Sequence, residues 1–241
     1  MSSILWALLW LRCRSVSRAT VVLLVVYILL CAVAIMYGWS LINMLSSLDA
    51  FALRDTTTDS GEKMAIAEAM ARQATLNNVL GLQFLAYLCA SVFFLVWIHR
   101  AHQNLSAFDM QGLSYSPAWA VGWFFVPILN LFQPYHVAVE IWKASDPRLG
   151  NDRHWQTARS SWLIGCWWVL FVLMNVAHGI SSKLSDASSA IWGLVISEIL
   201  GIAAAILAVL LVRAIDSRQE QRSRGLATGD TTSESGRSRG I

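Results

Sequence analysis

Formal charge is scarce in this chain. Of its 241 residues, 14% are Asp, Glu, Lys or Arg, against 56% hydrophobic ones and a mean hydropathy of +0.52. A soluble globular surface needs more charge than this, so a water-soluble domain is excluded. Cysteines are few, and Cys13, Cys31, Cys89 and Cys166 are too dispersed to form a CxxC pair. Neither a zinc site nor a redox dithiol is expected, and no other metal or cofactor is implied. Also missing are a glycine-rich phosphate loop, a Ser-His-Asp order and a metalloprotease signature, and the basic residues flank apolar runs instead of alternating with aromatics. Nucleic acid is therefore not an expected partner, and no catalytic residue is assigned. No polar stretch is long enough to bury a core of its own, which leaves a single membrane domain as the expectation.

What the chain does contain is tryptophan and long uncharged runs. The 12 tryptophans suit the zone where hydrocarbon meets headgroup. Charge-free runs lie between Arg18 and Asp49, between Arg72 and Arg100, and between Arg159 and Lys183, and a fourth, between Asp186 and Arg213, is interrupted only by Glu198. Each exceeds the roughly 20 residues needed to cross about 30 Å of hydrocarbon. None alternates apolar with polar residues, and every backbone group must be bonded within lipid, so helices are expected over strands. The expectation is an all-α integral membrane protein with spans near 19–45, 79–98, 161–178 and 190–212.

Around these spans, residues 1–18 read as an interfacial segment with Trp6 and Trp10 before Arg12, Arg14 and Arg18. A cleaved signal peptide is the competing reading, since Ala32-Val33-Ala34 imitates a cleavage site, but the apolar run continues well past it. Between the first two spans, Asp55 to Gly61 predicts a turn and Asp59 with Glu62 a capping box. The helix that follows to Gln73 should project with its partner beyond the bilayer. The Arg- and Ser-rich stretch 217–241 predicts a disordered basic tail.

Residues 117–142 look at first like a fifth span. Pro127 and Pro134 argue otherwise, because each removes an N–H and crowds the carbonyl four residues back, at Trp123 and Asn130. Ala118 to Val126 makes roughly 14 Å of helix, about half the hydrocarbon depth. A Pro-kinked re-entrant or interfacial hairpin is expected instead. With both termini cytoplasmic in a bacterial inner membrane, that arrangement puts 14 of the 18 basic residues inside, leaving Arg54, Lys63, Arg72 and Lys183 outside. Five spans with the amino terminus outside give a similar count but export Arg12, Arg14 and Arg18.

Trp97, Arg100, Ala101, Asn104 and Leu105 are followed by Ser-Pro-Ala-Trp-Ala-Val-Gly-Trp-Phe-Phe-Val-Pro-Ile-Leu-Asn-Leu at 116–131, then by Pro134, Tyr135, Glu140 and Trp142. This order resembles the bacterial membrane proteins grouped as domain of unknown function 4328. Within it the residues that carry the resemblance are Trp97, Arg100, Asn104, Pro117, Trp119, Gly122, Trp123, Pro127, Asn130, Pro134, Tyr135, Glu140 and Trp142, with Ala118 where relatives often have Gly. The resemblance implies four spans around the hairpin and no activity.

His136 and Glu140 stand four apart on one helical face, a spacing that suits either acid-base work or a structural hydrogen bond. His99 and His102 can complete such a cluster, or face headgroups. Arg100 can bind a lipid phosphate or pair with Glu140, and Asn130 can bond the carbonyls freed by the prolines. Glu198, near mid-membrane, should turn inward, with Asn175 and His178 as candidate partners. Gly193, Ser197, Gly201 and Ala205 form a small-residue face for helix packing, within the bundle or between subunits. The preferred reading is a non-catalytic binding or organising module for lipid headgroups or a membrane-protein partner, met at the cytoplasmic face by Arg100, Asn130 and Glu140. A small transporter using Glu198 is the first alternative. A membrane-embedded hydrolase or transferase using His136 and Glu140 is the second.

Overall fold

Neither proline nor glycine occurs between Ser3 and Tyr37, so nothing there interrupts a helical hydrogen-bond ladder. In the computed structural model the first helix, α1, accordingly runs unbroken over Ser3–Ala52. The separate interfacial helix expected over 1–18 is replaced by the first turns of α1. The structure describes residues 3–52, 59–149 and 153–237, and side chains at 15–46, 63–64, 66–149 and 155–225. Most of the turn expected at Asp55 to Gly61, and the capping-box side chains of Asp59 and Glu62, lie outside these residues.

The remaining helices are α2 (Asp59–Ala107), α3 (Pro117–Gly122), α4 (Gln133–Ala144), α5 (Trp162–Ser181) and α6 (Ala187–Arg237). Among the described residues there is no strand. Four stretches are long and apolar enough to cross a membrane: Ser15–Ser46, Ile66–Ala107, Trp162–Ser181 and Ala187–Gly225. The chain is an all-helical, multi-pass membrane protein. The stretch from residue 217, expected to be a disordered tail, instead continues α6 to Arg237, with residues 238–241 outside the described ones. Its first turns are held because Gln219 and Arg222 are buried and hydrogen-bonded.

At 1.5 Å per residue, α1, α2 and α6 are each about 75 Å long, more than twice the hydrocarbon thickness. Helices of that length meet different neighbours along their course. Where one membrane domain was expected, the chain divides into two compact units.

The first unit comprises Met1–Val21, Ser91–Cys166 and Leu207–Ile241. Its core takes Trp97, Ile98, Ala101 and Leu105 from α2, Val137, Ala138, Ile141 and Ala144 from α4, and Ala208, Leu211, Val212 and Ile215 from α6. Each set repeats at three- and four-residue steps, which is one face of a helix. Asp216 of α6 ties three helices together by accepting hydrogen bonds from Ser17 Oγ of α1 and, at 3.0 Å, from Trp97 Nε1 of α2.

Within this unit α3 and α4 form a pair of short helices. Pro117 stands in the first turn of α3, where its missing N–H has no partner to lose, and Ser116 Oγ caps that turn by accepting from Trp119 N–H at 3.3 Å. Gly122 lets the Trp119 ring lie close against the helix, since a Cβ there would come within 3.1 Å of it. After a 3-10 turn the chain reverses at Ile128, whose φ of 68° brings Leu129 N–H to the Pro127 carbonyl at 2.8 Å. A β-branched side chain in this region is strained, and Ile128 is also 74% exposed. Pro134 then opens α4. With 6 and 12 residues, neither helix reaches across a bilayer.

The second unit comprises Val22–Ala90 and Trp167–Ile206. Tyr27, Cys31 and Ala205 form one buried cluster, and Ala34, Leu41 and Leu76 another. Close approach is set by glycine. A Cβ at Gly193 would lie 2.9 Å from Ser181 Cβ, and one at Gly201 would lie 2.8 Å from the Tyr27 hydroxyl and 3.1 Å from Met174 Sδ. Gly201→Ala is therefore expected to lower the detergent melting temperature, at a cost of about 1–3 kcal/mol for overpacking. Gly81→Ala, where nothing lies within 4 Å, is expected to leave melting unchanged or raise it.

Candidate functional site

Glu140 is the centre of the first unit. It sits on the buried face of α4 with 5% of its surface accessible, and three donors from two other segments reach its carboxylate. His102 Nε2 of α2 donates to Oε1 at 3.0 Å, Ser114 N–H to Oε2 at 2.7 Å and Tyr115 N–H to Oε1 at 3.3 Å. These three contacts occupy three of the roughly four acceptor sites of the side chain. His102 is itself fully buried. The partners expected for Glu140, Arg100 and His136, are not among them. His136 is exposed and sets its ring edge-on to Tyr135, 5.4 Å away, while half-buried Arg100 lies on α2. His99 Nδ1 donates to the Pro117 carbonyl at 2.9 Å, a second link from α2 to this segment. Near Glu140, burial pushes the Tyr115 phenol upward, and the Glu140 charge adds to the effect.

The carboxyl end of α4 is held by α6. Arg218 donates to the Trp142 carbonyl at 3.0 Å and stacks on the Trp142 ring at 3.9 Å; Arg222 donates to the Asp146 carbonyl at 2.8 Å. Cations at these carbonyls meet both the unsatisfied acceptors and the negative end of the helix dipole. Gln219 donates to Ala101 O at 2.9 Å and Ser145 Oγ at 3.1 Å, and accepts from Asn104 at 2.8 Å. Asp146 receives the Arg148 guanidinium at 3.0 and 2.8 Å. That bond above all holds the Asp146 carboxyl down at about 2, against the upward push of burial.

Beside this arrangement lies a cleft of about 380 Å³ lined by Trp142, Arg148, Arg159, Ser160, Ser161 and Arg218, with Asp146 at its wall. Arg148 is 80% exposed at its side chain and Arg159 is exposed, with no carboxylate partner among the described residues. The cleft can accept an anion.

Of the other residues singled out from sequence, Trp97 and Asn104 are drawn into the α2–α6 contacts above. Trp119 and Trp123 pack with tilted rings 5.0 Å apart, and Pro127 is exposed at the turn. Asn130 donates its backbone N–H to the Val126 carbonyl at 2.9 Å, and its side chain makes no hydrogen bond to the described residues. Gly193, Ser197, Gly201 and Ala205 pack inside the second unit.

Also in the second unit, Glu198 is 4% exposed and bonded by Gln83 Nε2 at 2.7 Å, with the weakly donating Cys31 thiol beside it. Asn175 and His178, the expected partners, line the same cavity, but the Asn175 amide donates to the Phe171 carbonyl. No spacing or motif in the sequence points to Gln83. An amide in an apolar span needs a partner, and that was the available signal.

The family described as Domain of unknown function (DUF4328) matches residues 55–217, well over half of the chain, and the chain belongs to that family. No curated protein and no solved structure is significantly similar to it.

Glu140→Ala leaves buried donors unpaired and is expected to cost about 1–3 kcal/mol, read as a lower detergent melting temperature and faster chymotrypsin cleavage after Phe108 and Tyr115. Asp146 carries a pH signature. Its folded carboxyl titrates below the ordinary 3.8, so its contribution is present above about pH 4 and lost as pH falls through about 2. Asp146→Asn should flatten acid unfolding in that window by about 1–2 kcal/mol, allowing for the solvent around Arg148.

Proposed function

We propose that this member of the DUF4328 family is a non-catalytic binding module of the bacterial inner membrane that holds the anionic headgroups of lipids at its cytoplasmic face. The carrying observation is the cleft in which Arg148, Arg159 and Arg218 meet the hydroxyls of Ser160 and Ser161. Guanidinium groups and hydroxyls together match a phosphate's oxygens. The ligand contacts expected of Glu140 pass to these arginines, because its own oxygens are already engaged.

Topology supports the reading. With both termini cytoplasmic, the segment from α2 to α5 lies on the side that holds most of the basic residues, as the positive-inside rule requires. The turn between α3 and α4 exposes Phe125, Ile128, Leu131 and Phe132, an apolar tip suited to re-enter the headgroup and acyl boundary as a hairpin. The enzyme alternative needs a reachable His–carboxylate pair. His102 and Glu140 are close enough but buried, and the geometry favours pinning over turnover.

The test titrates delipidated full-length protein in detergent with phosphatidylglycerol and, in parallel, phosphatidylcholine. Phosphatidylglycerol is expected to raise the melting temperature of the wild type more than phosphatidylcholine, and Arg159→Gln to remove that difference while melting unchanged without lipid. Equal shifts with both lipids, or an undiminished preference in Arg159→Gln, would sink the headgroup reading.

A further inference from the structure

The second unit holds a cavity of about 430 Å³ to which all four spans contribute: α1 supplies Tyr27, α2 Gln83, Phe84 and Tyr87, α5 Met174, Asn175 and His178, and α6 Ser197 and Glu198. No lysine or arginine lines it. Its one carboxylate, Glu198, receives a single strong donor, the Gln83 amide. That amide in turn leaves Gln83 Oε1 buried with no donor. A buried acceptor without a donor, beside a carboxylate with lone pairs to spare, is a standing demand for N–H groups and positive charge. The Cys31 thiol adds a weak donor to Glu198 and His178 lines the same cavity, but Gln83 Oε1 receives none among the described residues.

The walls narrow the ligand further. Tyr27 and Tyr87 stand with ring centroids 5.8 Å apart, and Phe84 lines the same cavity. Aromatic faces attract cations and also bury apolar groups. The volume is that of a small-molecule site, far larger than a bare metal ion needs, and no group of three metal-ligating side chains occurs among the described residues. We propose that this cavity binds an amphipathic protonated amine, its ammonium on Glu198 and Gln83 Oε1 and its apolar body against Phe84 and Tyr87. This site is separate from the basic cleft in its residues and in the sign of its ligand, so it stands or falls apart from the headgroup reading.

Isothermal titration of the full chain in detergent with 4-phenylbutylammonium and with the neutral isostere 4-phenylbutanol separates binding from partitioning into the micelle. The ammonium is expected to bind at least about tenfold more tightly, the scale of one desolvated charge contact. Glu198→Gln is expected to abolish that preference. Phe84→Ala removes a ring with little buried surface, so it should keep the wild-type melting temperature while weakening binding of the ammonium about fivefold or more through lost apolar contact. Equal affinity of wild type for amine and alcohol, a preference that survives Glu198→Gln, or unchanged ammonium affinity in Phe84→Ala would each overturn the proposal.

Discussion

A carboxylate placed among apolar side chains must be met by donors, and Glu140 is met by three. Because those donors belong to α2 and to the loop before α3, one side chain of α4 fixes both. The backbone N–H groups of Ser114 and Tyr115 would otherwise be left to water or to nothing. The register of α4 against α2 follows, with Val137, Ala138 and Ile141 set against Ile98, Ala101 and Leu105 in one core. The cleft is a further consequence, since Trp142, one step along α4 from Ile141, presents its ring to Arg218 only while that register holds.

The same helix needs cations at its other end. Carbonyls in the last turn of α4 lack a full set of partners within the helix, and Arg218 and Arg222 approach those of Trp142 and Ala144 from α6, while Gln219 binds the Ser145 hydroxyl just beyond. Guanidinium groups fixed by carbonyls and by an aromatic face keep their charge without needing a carboxylate each. This accounts for a cleft that is rich in arginine next to a single acid, Asp146, whose oxygens are already directed to Arg148. Structural capping and a surplus of positive charge arise from one arrangement.

How much of this was legible in the sequence depends on the range of the interaction. The spans were legible because exclusion of charge over some twenty residues is a local property. The paired short helices were legible because proline acts on its own backbone, at Pro117, Pro127 and Pro134. His102 was legible only as one of two histidines able to join a cluster at Glu140, with a headgroup-facing role as the alternative. The i,i+4 rule pointed to His136, but α4 turns His136 outward, and the other donors are backbone N–H groups that any residue possesses. The continuation of α6 is hidden in the sequence for a different reason. Composition marks Arg and Ser as disordered, yet Gln219 and Arg222 prolong the series Leu211, Ile215 at four- and three-residue steps. A helix face can be polar where what it meets is a set of carbonyls.

Glu140 and Glu198 show how the same side chain, equally buried, takes opposite roles. Glu140 has three donors, and each belongs to a segment whose position depends on it. Glu198 has one amide donor, and that amide carries an unmatched acceptor of its own. Burial of an acid is therefore a poor guide to function by itself. What differs is the number and source of donors: three groups from two other segments reach Glu140, whereas the Glu198 oxygens are reached by the Gln83 amide and the weak Cys31 thiol. In the second unit Asn175 and His178 line the same cavity, yet the Glu198 oxygens take their bond from Gln83 and the Asn175 amide turns to its own helix. Polar groups retained around an incompletely satisfied carboxylate, with room for a molecule between them, make a binding cavity a better account of Glu198 than packing alone.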